Sequence, residues 1–166
     1  MRYSKTRLTA FLSIAALTVA TSASLVIADT KTKTDPKGDT KGKADSGFDL
    51  KSATAGHAGD KVVHTVVSWT KAGPGGVVLE LDVGRNPGPD FAVYRSRDTG
   101  KVQVVDAKTG KKVAAATYKK ISGTSFKLVF SLGFDGNPDY KWRWRVYGQN
   151  GTYDLLPNKG WVSHGM

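Results

Sequence analysis

A chain of 166 residues is long enough for one domain once its ends are set aside. It contains no cysteine, which excludes disulfides, thiolate metal sites, a cysteine nucleophile and a lipid anchor on cysteine. Hydrophobic content of 39 % with 19 Gly and 6 Pro points to a turn-rich globular β protein rather than a disordered one. The net charge of +11 is unevenly spread: +3 falls in residues 1–7, +1 in residues 29–46 and +7 in residues 47–166. A basic domain favours anionic partners such as polysaccharide or wall polymer, though charge of this size also keeps a small domain soluble.

Residues 1–7 form a short cationic stretch, and an apolar run follows from Leu8 to Ala20. Val26-Ile27-Ala28 then offers a small-residue cleavage site, with Thr21-Ser22-Ala23 as the second choice. This is the tripartite pattern of a secretory signal peptide, so residues 1–28 are expected to be an export signal and the protein to be secreted. A retained membrane anchor is the competing reading, because residues 8–28 are long enough to span a bilayer. Six Ser/Thr dilute that stretch, and it ends in a cleavage signature.

Residues 29–46 alternate Lys, Asp, Thr and Gly with no large apolar side chain, so a polar linker with a mobile first half is expected. The aspartates Asp35, Asp39, Asp45 and Asp49 invite a calcium reading. Their spacing of 4, 6 and 4 is not the alternation of a calcium loop, and lysines between them compete for the carboxylates. No metal or cofactor is assigned on this basis, and calcium binding within 35–49 stays open.

From Phe48 onward, extended runs alternate with turn residues. The runs cover about 47–55, 61–69, 77–83, 91–97, 101–107, 112–118, 125–134 and 140–148, and every gap between them holds glycine. Val77, Leu79, Leu81 and Val83 share one strand face, as do Phe126, Leu128, Phe130 and Leu132. Residues 101–118 read as a hairpin. No window has a convincing helical apolar period. The expected domain, residues 47–166, is therefore all-β: an antiparallel two-sheet sandwich, jelly-roll-like, of about eight strands.

The most informative run is Tyr140-Lys141-Trp142-Arg143-Trp144-Arg145-Val146-Tyr147, which alternates aromatic with cationic side chains. Period-2 alternation predicts Tyr140, Trp142 and Trp144 in the core and Lys141, Arg143 and Arg145 outside, since exposed aromatic stripes of this size are rare; the alternative exposes the aromatic face as a stacking platform for sugar rings. The outward guanidinium and ammonium groups suit sulfate, phosphate or carboxylate ligands. Trp69, at a strand end, and Trp161, in the tail, are the candidates for stacking against sugar rings, or else for packing over an edge.

Several short motifs carry a resemblance. Asp35-Pro-Lys-Gly-Asp39, Phe48-Asp-Leu-Lys-Ser-Ala53, Val62-Val-His-Thr-Val66 and the tail from Tyr153 to His164 resemble a group of small secreted bacterial proteins. Those look like relatives of the DOMON and family-9 carbohydrate-binding-module sandwiches. The resemblance implies a β-sandwich and, within the wider superfamily, haem or sugar binding. The Met ligand of the haem branch has poor candidates here, since Met1 leaves with the signal and Met166 is terminal.

Enzyme motifs are sparse. Glu80-Leu81-Asp82 resembles the Glu-Leu-Asp strand of jelly-roll glycoside hydrolases, but the second glutamate is missing and Glu80 is the chain's only one. His57, His64 and His164 sit in no metal-ligand spacing and read as packed or surface residues, and no nucleophile elbow or phosphate loop occurs. The sequence thus favours a secreted, non-catalytic binding module for glycan or anionic envelope polymer, through Trp69, Lys141, Arg143, Arg145 and Trp161. Nucleic acid is not an expected partner. A divergent glycoside hydrolase and a structural domain with protein partners are the alternatives.

Overall fold

The computed structural model describes residues 27–41, 48–71, 75–85, 87–132, 139–147 and 152–165. All but the last two residues of the expected signal lie outside these, as does Asp45. The described residues form eleven strands and no helix: β1 (Ala28–Thr34), β2 (Leu50–Ala58), β3 (Lys61–Ser68), β4 (Gly76–Asp82), β5 (Phe91–Arg95), β6 (Val102–Asp106), β7 (Lys112–Lys120), β8 (Ser125–Phe130), β9 (Tyr140–Tyr147), β10 (Tyr153–Leu156) and β11 (Val162–His164).

Every pairing is antiparallel, and one path of hydrogen bonding runs β1-β2-β3-β8-β7-β6-β5-β4-β9-β10, with β11 also on β9. Two separate sheets of about eight strands were expected; eleven strands share one sheet. Its continuity comes from β7, which pairs β6 through Lys112, Ala114 and Ala115 and then β8 from Ala116 to Lys120. The sheet curls until its ends almost meet, where the Leu50 N–H donates to Asp154 Oδ2 at 2.6 Å. The result is nearly a closed barrel.

The strands the sequence revealed, β2 to β9, are those with alternating apolar positions or glycine-marked hairpins. In the β5-β6 and β6-β7 connections the same device repeats: Gly100 and Gly110 adopt φ of 65° and 69°, and their N–H groups return to the carbonyls of Ser96 and Asp106. Left-handed backbone of this kind favours glycine. β1 was unexpected, since Ala28 was read as the end of the signal and residues 29–34 as linker. All seven of its side chains are exposed, so it satisfies backbone groups against β2 without burying anything apolar. Composition therefore gave no sign of it. β10 and β11 are only four and three residues long, too short for a periodicity to show.

The core fills the curled sheet. Val77, Leu79 and Leu81 of β4, Phe126, Leu128 and Phe130 of β8, and Tyr140, Trp142, Trp144 and Val146 of β9 are all buried. Trp144 meets Phe126 edge-on with ring centroids 5.8 Å apart. Each of these indoles removes on the order of 150–250 Å² from water, which makes β9 the heaviest single contributor to the interior.

Candidate functional site

With its rings inward, β9 presents Lys141, Arg143, Arg145 and Tyr147 on the outside, exposed or half-buried. The antiparallel register sets Glu80 of β4 directly across from Arg143 and Asp82 across from Lys141. Arg143 Nε donates to Glu80 Oε2 at 2.7 Å and its Nη2 reaches the same oxygen, while Arg145 lies 3.9 Å from Oε1. Lys141 is 3.9 Å from Asp82. Three cations thus face two carboxylates, and the basic stripe expected from the sequence is largely neutralised by β4.

The other edge of β9 is shared. β10 pairs residues 144 to 147 and β11 pairs residues 140 to 142, which leaves Arg143 opposite the junction between them. Trp161, just before β11, fills that place, and the Arg143 guanidinium lies 4.8 Å from its ring centroid. Arg145 sits 5.9 Å from the Tyr153 ring and donates to the Tyr147 hydroxyl at 3.4 Å. The outcome is a shallow face of half-buried Trp161, Tyr153 and Tyr147 interleaved with guanidinium groups.

Of the five residues proposed from sequence, Lys141, Arg143, Arg145 and Trp161 share this face. Trp69 belongs elsewhere. It is 40 % exposed, Lys51 Nζ lies 4.6 Å from its ring centroid, and its indole N–H points to the Asp35 carbonyl at 3.4 Å.

Asp35 introduces a second cluster. Asp35 and Asp39 follow β1, Asp49 precedes β2 and Asp154 lies in β10, so residues more than a hundred positions apart converge at the seam of the curled sheet. Carboxylate oxygens of Asp35, Asp39 and Asp154 lie within 4.8 Å of one another. The Asn158 amide donates to Asp35 Oδ1 at 3.2 Å and also to Asp39. Gly38 N–H donates to Asp49 at 2.8 Å, and Leu50 and Leu155 N–H groups cap Asp154. Asp35 is pushed up to about 8, by burial first and then by the charges of Asp154, Asp39 and Asp49. Burial, opposed by its backbone donors, brings Asp154 to about 6. Sequence spacing missed this group because its fourth member comes from the far end of the chain.

The histidines also converge, from β2, β3 and β11. His57 and His164 stack with centroids 4.9 Å apart, and the Tyr140 ring lies 5.1 Å from His164. Trp144 Nε1 donates to His64 Nδ1 at 3.3 Å, and an indole N–H can only donate. Nδ1 is therefore the acceptor, so Nε2 carries the hydrogen and donates to the Tyr140 oxygen at 3.1 Å. Burial lowers all three imidazoles below their ordinary range, His64 well below it. They are packed residues, as their spacing suggested, although interior rather than superficial. A cavity of about 310 Å³ opens beside them, lined by Asp82, Tyr140, Lys141, Ser163 and His164 among others.

No family model matches this chain, and no curated protein or solved structure matches it.

Proposed function

We propose that the protein is a secreted, non-catalytic binding module that holds a glycan on the outer face of β4, β9 and β10. In this reading the curled sheet works as a flattened sandwich whose outer layer carries the ligand, in keeping with the resemblance to DOMON and family-9 carbohydrate-binding modules. The observation that carries the proposal is the stack of Trp161, Arg143 and Glu80. A guanidinium held between a ring and a carboxylate keeps that ring in place before any ligand arrives, which lowers the ordering cost of binding. Adjacent donors and acceptors on Arg143, Arg145 and Glu80 suit vicinal hydroxyls, while Trp161 and Tyr153 offer apolar faces to a sugar ring. The near balance of charge favours a neutral or weakly acidic polysaccharide over a densely sulfated one. A hydrolase using Glu80 and Asp82 is the competing reading, but both Glu80 oxygens are engaged by Arg143 and Arg145.

Retention on a panel of immobilised polysaccharides, wild type against Trp161→Ala and Arg143→Ala, tests the site. Each variant should lose roughly tenfold in affinity, as expected for a central aromatic or arginine anchor. Because the face is nearly neutral, wild-type retention should change little between low and physiological salt. Retention that survives both substitutions, or that disappears with modest salt, rejects this site.

A further inference from the structure

We infer that the carboxylate cluster at the seam, built by Asp35, Asp39 and Asp154 with Asp49 and Asn158 beside them, is a calcium-binding site. The cluster is not a solvated acidic patch. Asp35 and Asp154 are 6 % and 0 % exposed, and Asp49 is 8 % exposed. Asp35 Oδ2, Asp39 Oδ1 and Asp49 Oδ1 are all buried from water without a hydrogen-bond partner among the described residues. A buried carboxylate oxygen with nothing to accept from is costly, and two of the three belong to Asp35 and Asp39, members of the trio whose oxygens converge within 4.8 Å. Lysine does not supply a partner: among the described residues no lysine forms a salt bridge with Asp35, Asp39, Asp49 or Asp154, whereas Glu80 and Asp82 of β4 are paired with cations of β9.

The geometry and the donor set select the ion. Calcium takes six to eight oxygens at about 2.3–2.6 Å, so two oxygens on one ion lie at most about 5 Å apart. The 4.8 Å limit among Asp35, Asp39 and Asp154 falls inside that span. All the donors are oxygen, which disfavours zinc, and three converging carboxylates exceed the one or two by which magnesium is usually held. Asn158 is informative as well. Its amide nitrogen now donates to two carboxylates, occupying the place a cation would take; turning the amide over would present Oδ1 as a further ligand. An opening of about 680 Å³, bounded by Lys33, Asp35, Pro157, Asn158 and Lys159, leads to the cluster.

The ion would also have a structural task. It joins the segment after β1 to β10 and the loop following it, across the gap that the sheet's backbone ladder leaves open. Besides direct side-chain contacts, that gap is crossed by the Leu50 to Asp154 bond and a backbone bridge between Lys41 and Tyr153.

The test uses the full chain stripped of metal with a chelator, then titrated with calcium or magnesium chloride under calorimetry and thermal unfolding. One calcium per chain should bind with a dissociation constant on the order of 10⁻⁵–10⁻³ M and raise Tm, whereas magnesium at equal concentration should not. Asp39→Asn alters the most accessible carboxylate and should keep the chelator-treated Tm while weakening calcium binding at least about tenfold. Asn158→Ala should weaken it in the same direction. Terbium at this site should be sensitised by Trp69, displaced by calcium, and dimmed in Trp69→Phe. No calcium effect up to ~10 mM overturns the inference. So does binding that Asp39→Asn and Asn158→Ala leave intact, or terbium emission indifferent to Trp69.

Discussion

His64 shows how much of this interior depends on individual atoms. Its ring is fully buried and makes one bond as acceptor, from Trp144, and one as donor, to Tyr140. Tyr140→Phe removes only an oxygen, yet leaves the His64 Nε2 hydrogen with no acceptor in a dry setting. That should cost about 1–3 kcal/mol, read from urea unfolding at neutral pH. A cost below a few tenths of a kcal/mol would mean that the two groups are not bonded. The inward turn of His64 was only half legible, because Val62 and Val66 flank it on the same face but Val63 and Val67 make the other face apolar as well. Its two partners were not, because β3 and β9 do not pair and meet only across the interior of the curled sheet, which neither strand records alone.

Strands differ in how much of themselves they disclose. β9 announces itself, since rings and cations at period 2 leave two placements relative to the core, and burial of the rings is the one found. β1 discloses nothing, because an exposed edge strand is selected by its backbone and its neighbour rather than by apolar side chains. The same contrast should appear in their dynamics. Among the described residues β1 is bonded on one side only, to β2, and it carries an irregular register between Ala28 and Lys31. Its amides should exchange with solvent orders of magnitude faster than those of β8, which is bonded on both sides and buries Phe126, Leu128 and Phe130. Hydrogen exchange followed by mass spectrometry or NMR separates the two. Equal protection of β1 and β8 would show that the edge strand is held by something other than its ladder.

At the scale of the whole molecule, closure brings together groups that a reading along the chain keeps apart. All-β class, antiparallel pairing and the inward face of most strands were legible, because they follow from local alternation and turn chemistry. The carboxylate seam and the histidine cluster were not, because both are products of the curl. The histidines give that curl a measurable pH signature. His57, His64 and His164 are donated by three strands, and Tyr140 of β9 packs against all of them. Burial lowers each imidazole; His57 and His164 depress His64 further, His57 depresses His164, and Asp29 and Asp139 pull His164 the other way while Lys31 opposes them. Asp29 likewise raises His57 against the effect of burial. An imidazole with a lowered folded pKa keeps its full contribution above the unfolded value near 6.5, and that contribution is lost as pH falls below it, because only the unfolded chain takes up the proton. Each such imidazole can steepen the loss by up to about 1.4 kcal/mol per pH unit. Unfolding free energies of wild type and His64→Gln, measured at intervals from pH 7.5 to pH 5, isolate this term from the carboxylates, which titrate in both proteins. The wild-type curve should fall more steeply below pH 6.5, and the two should run parallel above it. Parallel curves throughout would mean that His64 is protonated as readily inside the fold as outside, which a fully enclosed ring bonded to Trp144 and Tyr140 does not allow.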